Sequence, residues 1–303
     1  MFFYILTRMK MLRFCLSLCI LCFGVICSGG NKIQLSQQNF FAGQKSQFTL
    51  KSPKLTGAVT WTLSFFGRFS QAGRTVVKAD GALIQFKAPN LSPGGAVKGK
   101  FSLRSSSAKL TFSIYLYSQK PFTNKAEFNK LKIIVWNIEQ ESNWVEKLLK
   151  QNRIKFKKTD SFDDLDGNLL LLSGLDFADF SGVAEDLFQW CRHGKRVIFF
   201  APMAGNFPFP GKTFNEFTFL KASAIQRFNK KFDLLPVASS FSLKAIDDAL
   251  AMSFSKQTNG YSFCRVKYGK GEIIFCGWDI KGQLSVKPAA LYVFKMLLNN
   301  KYN

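Results

Sequence analysis

Leu131-Lys132-Ile133-Ile134-Val135-Trp136-Asn137-Ile138 divides this chain. Before it, apolar residues recur at every second position; within it they run almost without interruption. A short unbroken apolar run fits a strand buried on both faces, as in a parallel sheet flanked by helices. Strict alternation fits strands with one face in a core and one in water. These eight residues therefore predict a change of architecture near residue 130. The expected fold is multidomain: an all-β immunoglobulin-like sandwich followed by a three-layer α/β domain with a mostly parallel sheet. A length of 303 residues accommodates two such units.

Working upstream, the alternating pattern suggests strands over Lys32–Ser36, Gln44–Ser52, Ala58–Phe66, Arg74–Ala79, Leu83–Ala88, Val97–Arg104 and Leu110–Tyr117. Thr60-Trp61-Thr62-Leu63-Ser64 and Thr111-Phe112-Ser113-Ile114-Tyr115 carry it most clearly. Turn residues punctuate the segment, among them Ala79-Asp80-Gly81 and Ser92-Pro93-Gly94-Gly95. Short strands at this spacing read as a sandwich over 28–119. Residues 120–130, around Pro121, read as a linker.

Downstream, over 131–303, Glu141–Arg153 and Val183–His193 have helical spacing, and the apolar runs Leu169–Leu172 and Val197–Ala201 read as strands between them. Prolines 208, 210 and 236 make the stretch from Phe207 to Val237 look irregular. Leu243–Phe254 reads as a helix. Tyr261–Tyr268 and Glu272–Trp278 read as a hairpin through Gly269-Lys270-Gly271. Ala289–Asn299 closes the chain as a helix.

The first 27 residues resemble a signal peptide: Arg8, Lys10 and Arg13 precede the uncharged run Phe14–Ile26, which ends at small residues. The expected location is therefore the periplasm, the cell surface or the exterior. Cys27 offers an alternative lipid attachment point, so membrane contact is expected only through this segment. The formal net charge is +23, and residues 28–119 hold twelve Lys and Arg against Asp80 alone. Such a field attracts polyanions. Outside the cytoplasm those are acidic polysaccharides and anionic envelope surfaces, not nucleic acid. A solvated lysine face is the plainer reading of the same charge.

The second half also resembles a known family. Tyr268-Gly269-Lys270-Gly271-Glu272-Ile273-Ile274-Phe275-Cys276-Gly277-Trp278-Asp279-Ile280, followed by Pro288-Ala289-Ala290, is similar to the ending of class I glutamine amidotransferase-like, flavodoxin-like domains. The form meant is the divergent one appended to exported bacterial proteins of glycoside-hydrolase type. Leu170-Leu171-Leu172-Ser173-Gly174 with Phe188–Val197 is similar to its central strand–helix–strand unit. Active members place a nucleophilic Cys on an elbow after a central strand, with a later His. Here Met203 occupies about that place, Cys191 lies within a helix, and the single histidine, His193, precedes the elbow. The resemblance therefore implies a degenerate domain without catalytic residues.

Ligands of open α/β sheets bind at the C-terminal ends of the strands. That places Trp136, Gly174, Asp176, Met203, Trp278 and Asp279 around a candidate ligand crevice, with Asp179 either beside Asp176 or capping the next helix. Asp176 and Asp279 are the carboxylates available to a carbohydrate-active hydrolase, the alternative to a non-catalytic binding protein or an assembly component. Asp163-Asp164-Leu165-Asp166-Gly167-Asn168 lacks the closing Glu of a calcium loop and reads as a turn. One His and three scattered Cys outside the leader do not make a metal set, and no cofactor is implied. Cys264 and Cys276 lie six residues either side of Lys270. A turn centred there makes them a candidate disulfide, although buried free thiols are the preferred reading.

Overall fold

The structure, a computed structural model, describes residues 34–300 except 52–54, 68, 107, 137–143, 178–181, 210–214, 228–231, 244–251 and 258–259. The expected targeting segment 1–27 with Cys27, the residue Asp179 and most of the helix expected over Leu243–Phe254 lie outside the described residues.

The first unit holds β1 (Gln34–Leu35), β2 (Asn39–Phe41), β3 (Lys45–Lys51), β4 (Gly57–Phe65), β5 (Phe69–Val77), β6 (Ala82–Lys87), β7 (Ala96–Arg104) and β8 (Lys109–Tyr117). They pair as two sheets, β1-β3-β6 and β2-β8-β7-β4-β5. Alternation sends one side of each strand into a shared core. Phe48, Leu50, Ile84 and Phe86 from the smaller sheet meet Trp61, Leu63, Phe101, Leu103 and Leu116 from the larger. Phe48 and Phe101 cross this interface edge to face at 4.9 Å.

The second unit runs α1 (Lys125–Asn129), β9 (Ile133–Trp136), α2 (Trp144–Gln151), β10 (Phe156–Thr159), β11 (Leu169–Ser173), α3 (Val183–Arg192), β12 (Arg196–Phe200), β13 (Gly205–Phe209), β14 (Asn215–Arg227), β15 (Leu234–Leu243), β16 (Met252–Gln257), β17 (Gly260–Tyr268), β18 (Gly271–Cys276), α4 (Ile280–Gln283) and α5 (Pro288–Leu298). Its strands form one sheet ordered β10-β9-β11-β12-β18-β17-β15-β14-β13, with β16 also on β17.

The expected three-layer, mostly parallel flavodoxin-like domain does not form, and the resemblance to amidotransferase-like domains is not supported. The ladders from β10 to β18 are parallel. The remainder are antiparallel, so the sheet is mixed. The described chain is 51% strand and 18% helix. The main departure lies at 205–257. The stretch expected to be irregular forms β13, β14 and β15, and Met252–Phe254, expected at the end of a helix, belongs to β16. Phe207 and Phe209 alternate with Asn206 and Pro208 as a strand requires. Pro208 is tolerated because β13 is the free edge of the sheet.

This sheet curls back on itself. In hydrogen-bonding order β13 stands five strands from β12, which is about 24 Å in an open sheet. Yet Phe207 on β13 lies 5.7 Å from Phe199 on β12, ring centroid to centroid. Phe177, in the loop after β11, fills the curl and touches Phe199, Phe207, Phe219 and Phe275 at 5.0–6.4 Å. The continuous apolar runs are explained by burial on both sides. Ile133, Val135, Leu169, Leu171, Ile198 and Phe200 face α2 and α5. Ile134, Leu170, Leu172, Val197 and Phe199 face α3 and the curled strands.

The hairpin β17–β18 forms, but one register step from the expectation. Tyr268 pairs with Gly271, so the turn is the two residues Gly269-Lys270. Cys264 then opposes Phe275, and Cys276 opposes Phe263. Since side chains alternate with period two, the two cysteines point to opposite faces. Cys264 joins the α3-side core and Cys276 the α5-side core. The candidate disulfide is therefore ruled out, and Cys191, Cys264 and Cys276 are buried free thiols.

The segment expected as a linker, 120–130, holds α1 and buries Phe122 and Phe128 against Phe294 of α5. Tyr117 at the end of β8 packs on Tyr292 of α5 and on Phe232. The two units thus share one apolar cluster.

Candidate functional site

At the C-terminal ends of the parallel strands, where the sequence placed a crevice, backbone groups close on one another. Gly174 N–H donates to the Phe200 carbonyl, Met203 N–H to Leu175 and Phe177 N–H to Ala204, at 2.8–3.1 Å. Ala201, held at φ 46°, donates to Cys276. The N–H groups of Ala238 and Ser239 on β15 both donate to the Gly277 carbonyl, and Asp279 N–H donates to Pro236. β15 therefore crosses the end of β18 and covers it.

The six residues expected to line the crevice are dispersed accordingly. Trp278 is 1% exposed, its ring 5.9 Å from that of Phe263 and tilted to it. Trp136 is buried against Phe162. Both are core residues and not a sugar platform. Gly174, at φ 69°, serves the loop after β11. Asp279 accepts the Gly282 N–H at 2.9 Å as the cap of α4. Asp176 is half-buried and Met203 is 43% exposed. Asp176 and Asp279 follow β11 and β18, strands separated by β12. Cys191 is buried in α3, its S–H directed at the Glu272 carbonyl. Burial pushes its thiol up to about 12. His193 is exposed at the end of the same helix. Ser161 caps the 3-10 turn at Phe162–Asp164, where the aspartate-rich stretch begins. No cluster of three or more His, Cys, Asp and Glu occurs among the described residues.

A different surface gathers chemistry of one kind. On the outer side of the larger sandwich sheet, Arg74 on β5 stands directly opposite Thr60 on β4. Thr60 stands opposite Arg104 on β7, and Arg104 opposite Lys109 on β8. These four exposed residues form one row across four strands, about 15 Å wide. The next row is Ala72, Thr62, Ser102 and Thr111, with Ser102 and Thr111 hydroxyls 3.3 Å apart. The third is Ser70, Ser64, Lys100 and Ser113, and Lys98 lies beyond it beside Tyr115. The face thus carries five cations among short hydroxyls, and Asp80, the one acid between residues 28 and 119, lies outside these strands.

Arg104 and Lys109 oppose each other directly, an arrangement that destabilises a sheet by a fraction of a kcal/mol up to about 1 kcal/mol. Lys45 and Lys87 repeat it on the smaller sheet. Charge counting suggested a basic sandwich. The rows themselves depend on the register of four strands and had no signal in the linear sequence beyond the alternation of Thr, Ser, Lys and Arg.

No protein-family model matches the chain, and no curated protein sequence does. Among solved structures, the exo-β-1,4-mannosidase Op5Man5 from Opitutaceae bacterium strain TAV5 is similar at 9% identity and a TM-score of 0.33, over 56% of this chain and 34% of that one. A β-glucuronidase from Parabacteroides merdae is similar at 8% identity and 0.19, over 57% and 33%. The PKD domain of an M14-like peptidase from Thermoplasmatales archaeon SCGC AB-540-F20 is similar at 11% identity and 0.19, over 28% and 91%. The chain spans about a third of the two glycosidases. At these TM-scores the similarity transfers neither fold nor activity to this chain.

Proposed function

We propose that this protein is an exported, non-catalytic binding protein whose sandwich holds an anionic polymer, an acidic polysaccharide of the cell envelope, against the outer face of its larger sheet. The row Arg74–Thr60–Arg104–Lys109 carries the reading. Like charges held in register repel, and a polyanion lying across them removes that repulsion while short hydroxyls accept and donate hydrogen bonds beside it. The leader-like residues 1–27 support export, which makes a polysaccharide the polyanion at hand. The buried Cys191 and the capping role of Asp279 support the absence of catalysis.

The test is retention of the full chain on immobilised heparin, together with an array of neutral, carboxylated and sulfated glycans. Retention is expected, lost in moderate salt, with Arg74→Ser/Arg104→Ser/Lys109→Ser eluting well before the parent. Unchanged elution of that variant, or preference for neutral glycans on the array, would overturn the proposal.

A further inference from the structure

The opposite edge of the parallel strands is open. A cleft of about 500 Å³ lies where β9, β11, β12 and β18 begin, bounded by the β17–β18 turn and the end of α5. That volume is in the range of sites for small polar molecules. Its charged lining is Lys195, Arg196, Arg265, Lys267, Lys270 and Glu272, five cations against one carboxylate among the described residues. Glu272 is buried; Arg265 donates to it at 2.5 Å and Arg196 stands 3.9 Å from its other oxygen. Arg196 also donates to the Leu298 carbonyl at the end of α5. Both guanidiniums are therefore built into the wall by partners of their own.

We propose that this cleft binds the phosphate or sulfate group of a small polar ligand. The three lysines come from different elements: Lys195 ahead of β12, Lys267 on β17 and Lys270 in the turn. Lys267 and Lys270 are exposed at the rim, and Lys195 is held by Asn168 Oδ1 at 2.8 Å. Ammonium groups arriving from several directions suit a tetrahedral oxyanion. A planar carboxylate is matched by a guanidinium fork, and the two guanidiniums here already face Glu272. The negative ends of α3 and α5 also point to this edge, but Arg192 and the Arg196–Leu298 bond answer them, leaving the lysine rim for a ligand. The cleft shares no residue with the sandwich face, so it stands or falls separately from polymer binding.

The full chain is titrated with inorganic phosphate, sulfate and acetate at one ionic strength, following the backbone amides of Gly194, Gly269 and Gly271. Phosphate or sulfate is expected to shift them saturably, with acetate about tenfold weaker, and Lys267→Ser/Lys270→Ser is expected to weaken binding about tenfold. Lys45→Ser/Lys87→Ser, which removes equal charge from the sandwich, should leave the affinity unchanged. Arg74→Ser/Arg104→Ser should keep the phosphate or sulfate response even where heparin retention falls. The tighter of phosphate and sulfate identifies the group on the ligand. Three anions acting alike, silent glycine amides, or equal losses in the Lys267/Lys270 and Lys45/Lys87 variants would overturn the proposal.

Discussion

Asn39 and Asp233, 194 residues apart, bind each other's backbone. Asn39 N–H donates to the Asp233 carboxylate at 2.8 Å, and Asp233 N–H donates to Asn39 Oδ1 at 2.8 Å. Gln38 N–H adds a second donor to the same carboxylate. Both residues are buried, so this reciprocal clamp ties the first strand of the larger sandwich sheet to the approach to β15. Removing one side chain takes from the other residue's backbone N–H the acceptor it uses in a dry place. Asn39→Ala is expected to destabilise the protein by about 1–3 kcal/mol in urea denaturation. Combined with Asp233→Ala, the losses should fall short of their sum by about 1 kcal/mol or more, the mark of direct coupling.

Phe177 holds the curl of the mixed sheet from inside, against rings of β12, β13, β14 and β18. Phe177→Ala should cost about 3–5 kcal/mol, as other emptied aromatic positions do. Phe177→Leu should restore much of it. Denaturant midpoints for the three proteins check both.

Gly271 begins β18 where the hairpin meets the end of α3. A Cβ there would lie 2.1 Å from the Lys195 carbonyl oxygen and 2.2 Å from that of Cys191, and neither backbone atom yields as a flexible side chain does. Gly271→Ala is expected to destabilise by about 3 kcal/mol or to leave the chain insoluble. Lys270→Ala, one residue away and exposed, should be nearly neutral in the same assay.

Several buried acids resist losing their protons. Burial pushes Tyr292 up from 10.0 to about 12, and Cys276 up from 9.0 to about 12, as it does Cys191. Tyr117 is raised as well, by burial and then by neighbouring tyrosines and Asp233. Between the unfolded and folded values the unfolded chain has released these protons while the native one retains them. Their stability contribution is complete below about pH 9 and declines as pH rises toward 12. Urea midpoints measured from about pH 8 to about pH 11 should therefore fall, and Tyr292→Phe should make the fall shallower. That variant also loses the hydroxyl bonds to the Gly95 and Ser118 carbonyls, about 1 kcal/mol at neutral pH. In the native state at about pH 8, Cys191, Cys264 and Cys276 should not react with a thiol reagent.

Legibility followed the range of the interactions. The run Leu131–Ile138 predicts a strand buried on both faces, and Ile133–Trp136 within it is one, because the absence of alternation already records two covered sides. The hairpin was legible from Gly269-Lys270-Gly271, but its register was not. Whether the turn spans two residues or centres on Lys270 is decided by packing, here the contact of Gly271 with α3. Pro208 and Pro236 concealed β13 and β15, since a proline argues against a strand until its neighbours are known: Pro208 lies on the edge strand β13, and Pro236 opposite Ile225 of β14, away from the one β15–β17 pair at Phe241. Trp278 looked like a crevice residue at a strand end. Its burial depends on Val237, which bridges to it from a strand more than forty residues earlier.

By itself the sequence determined the alternating strands of the sandwich, the excess of cations within it and the apolar runs of the parallel strands, because side-chain period and charge are properties of neighbouring residues. Tertiary structure alone decided that β13 folds back onto β12, that the C-terminal crevice is closed by β15, and that Arg74, Arg104 and Lys109 stand in one row. Each of these depends on hydrogen-bonding register between distant strands, and a one-residue slip, which leaves composition and periodicity untouched, would turn every such side chain to the other face.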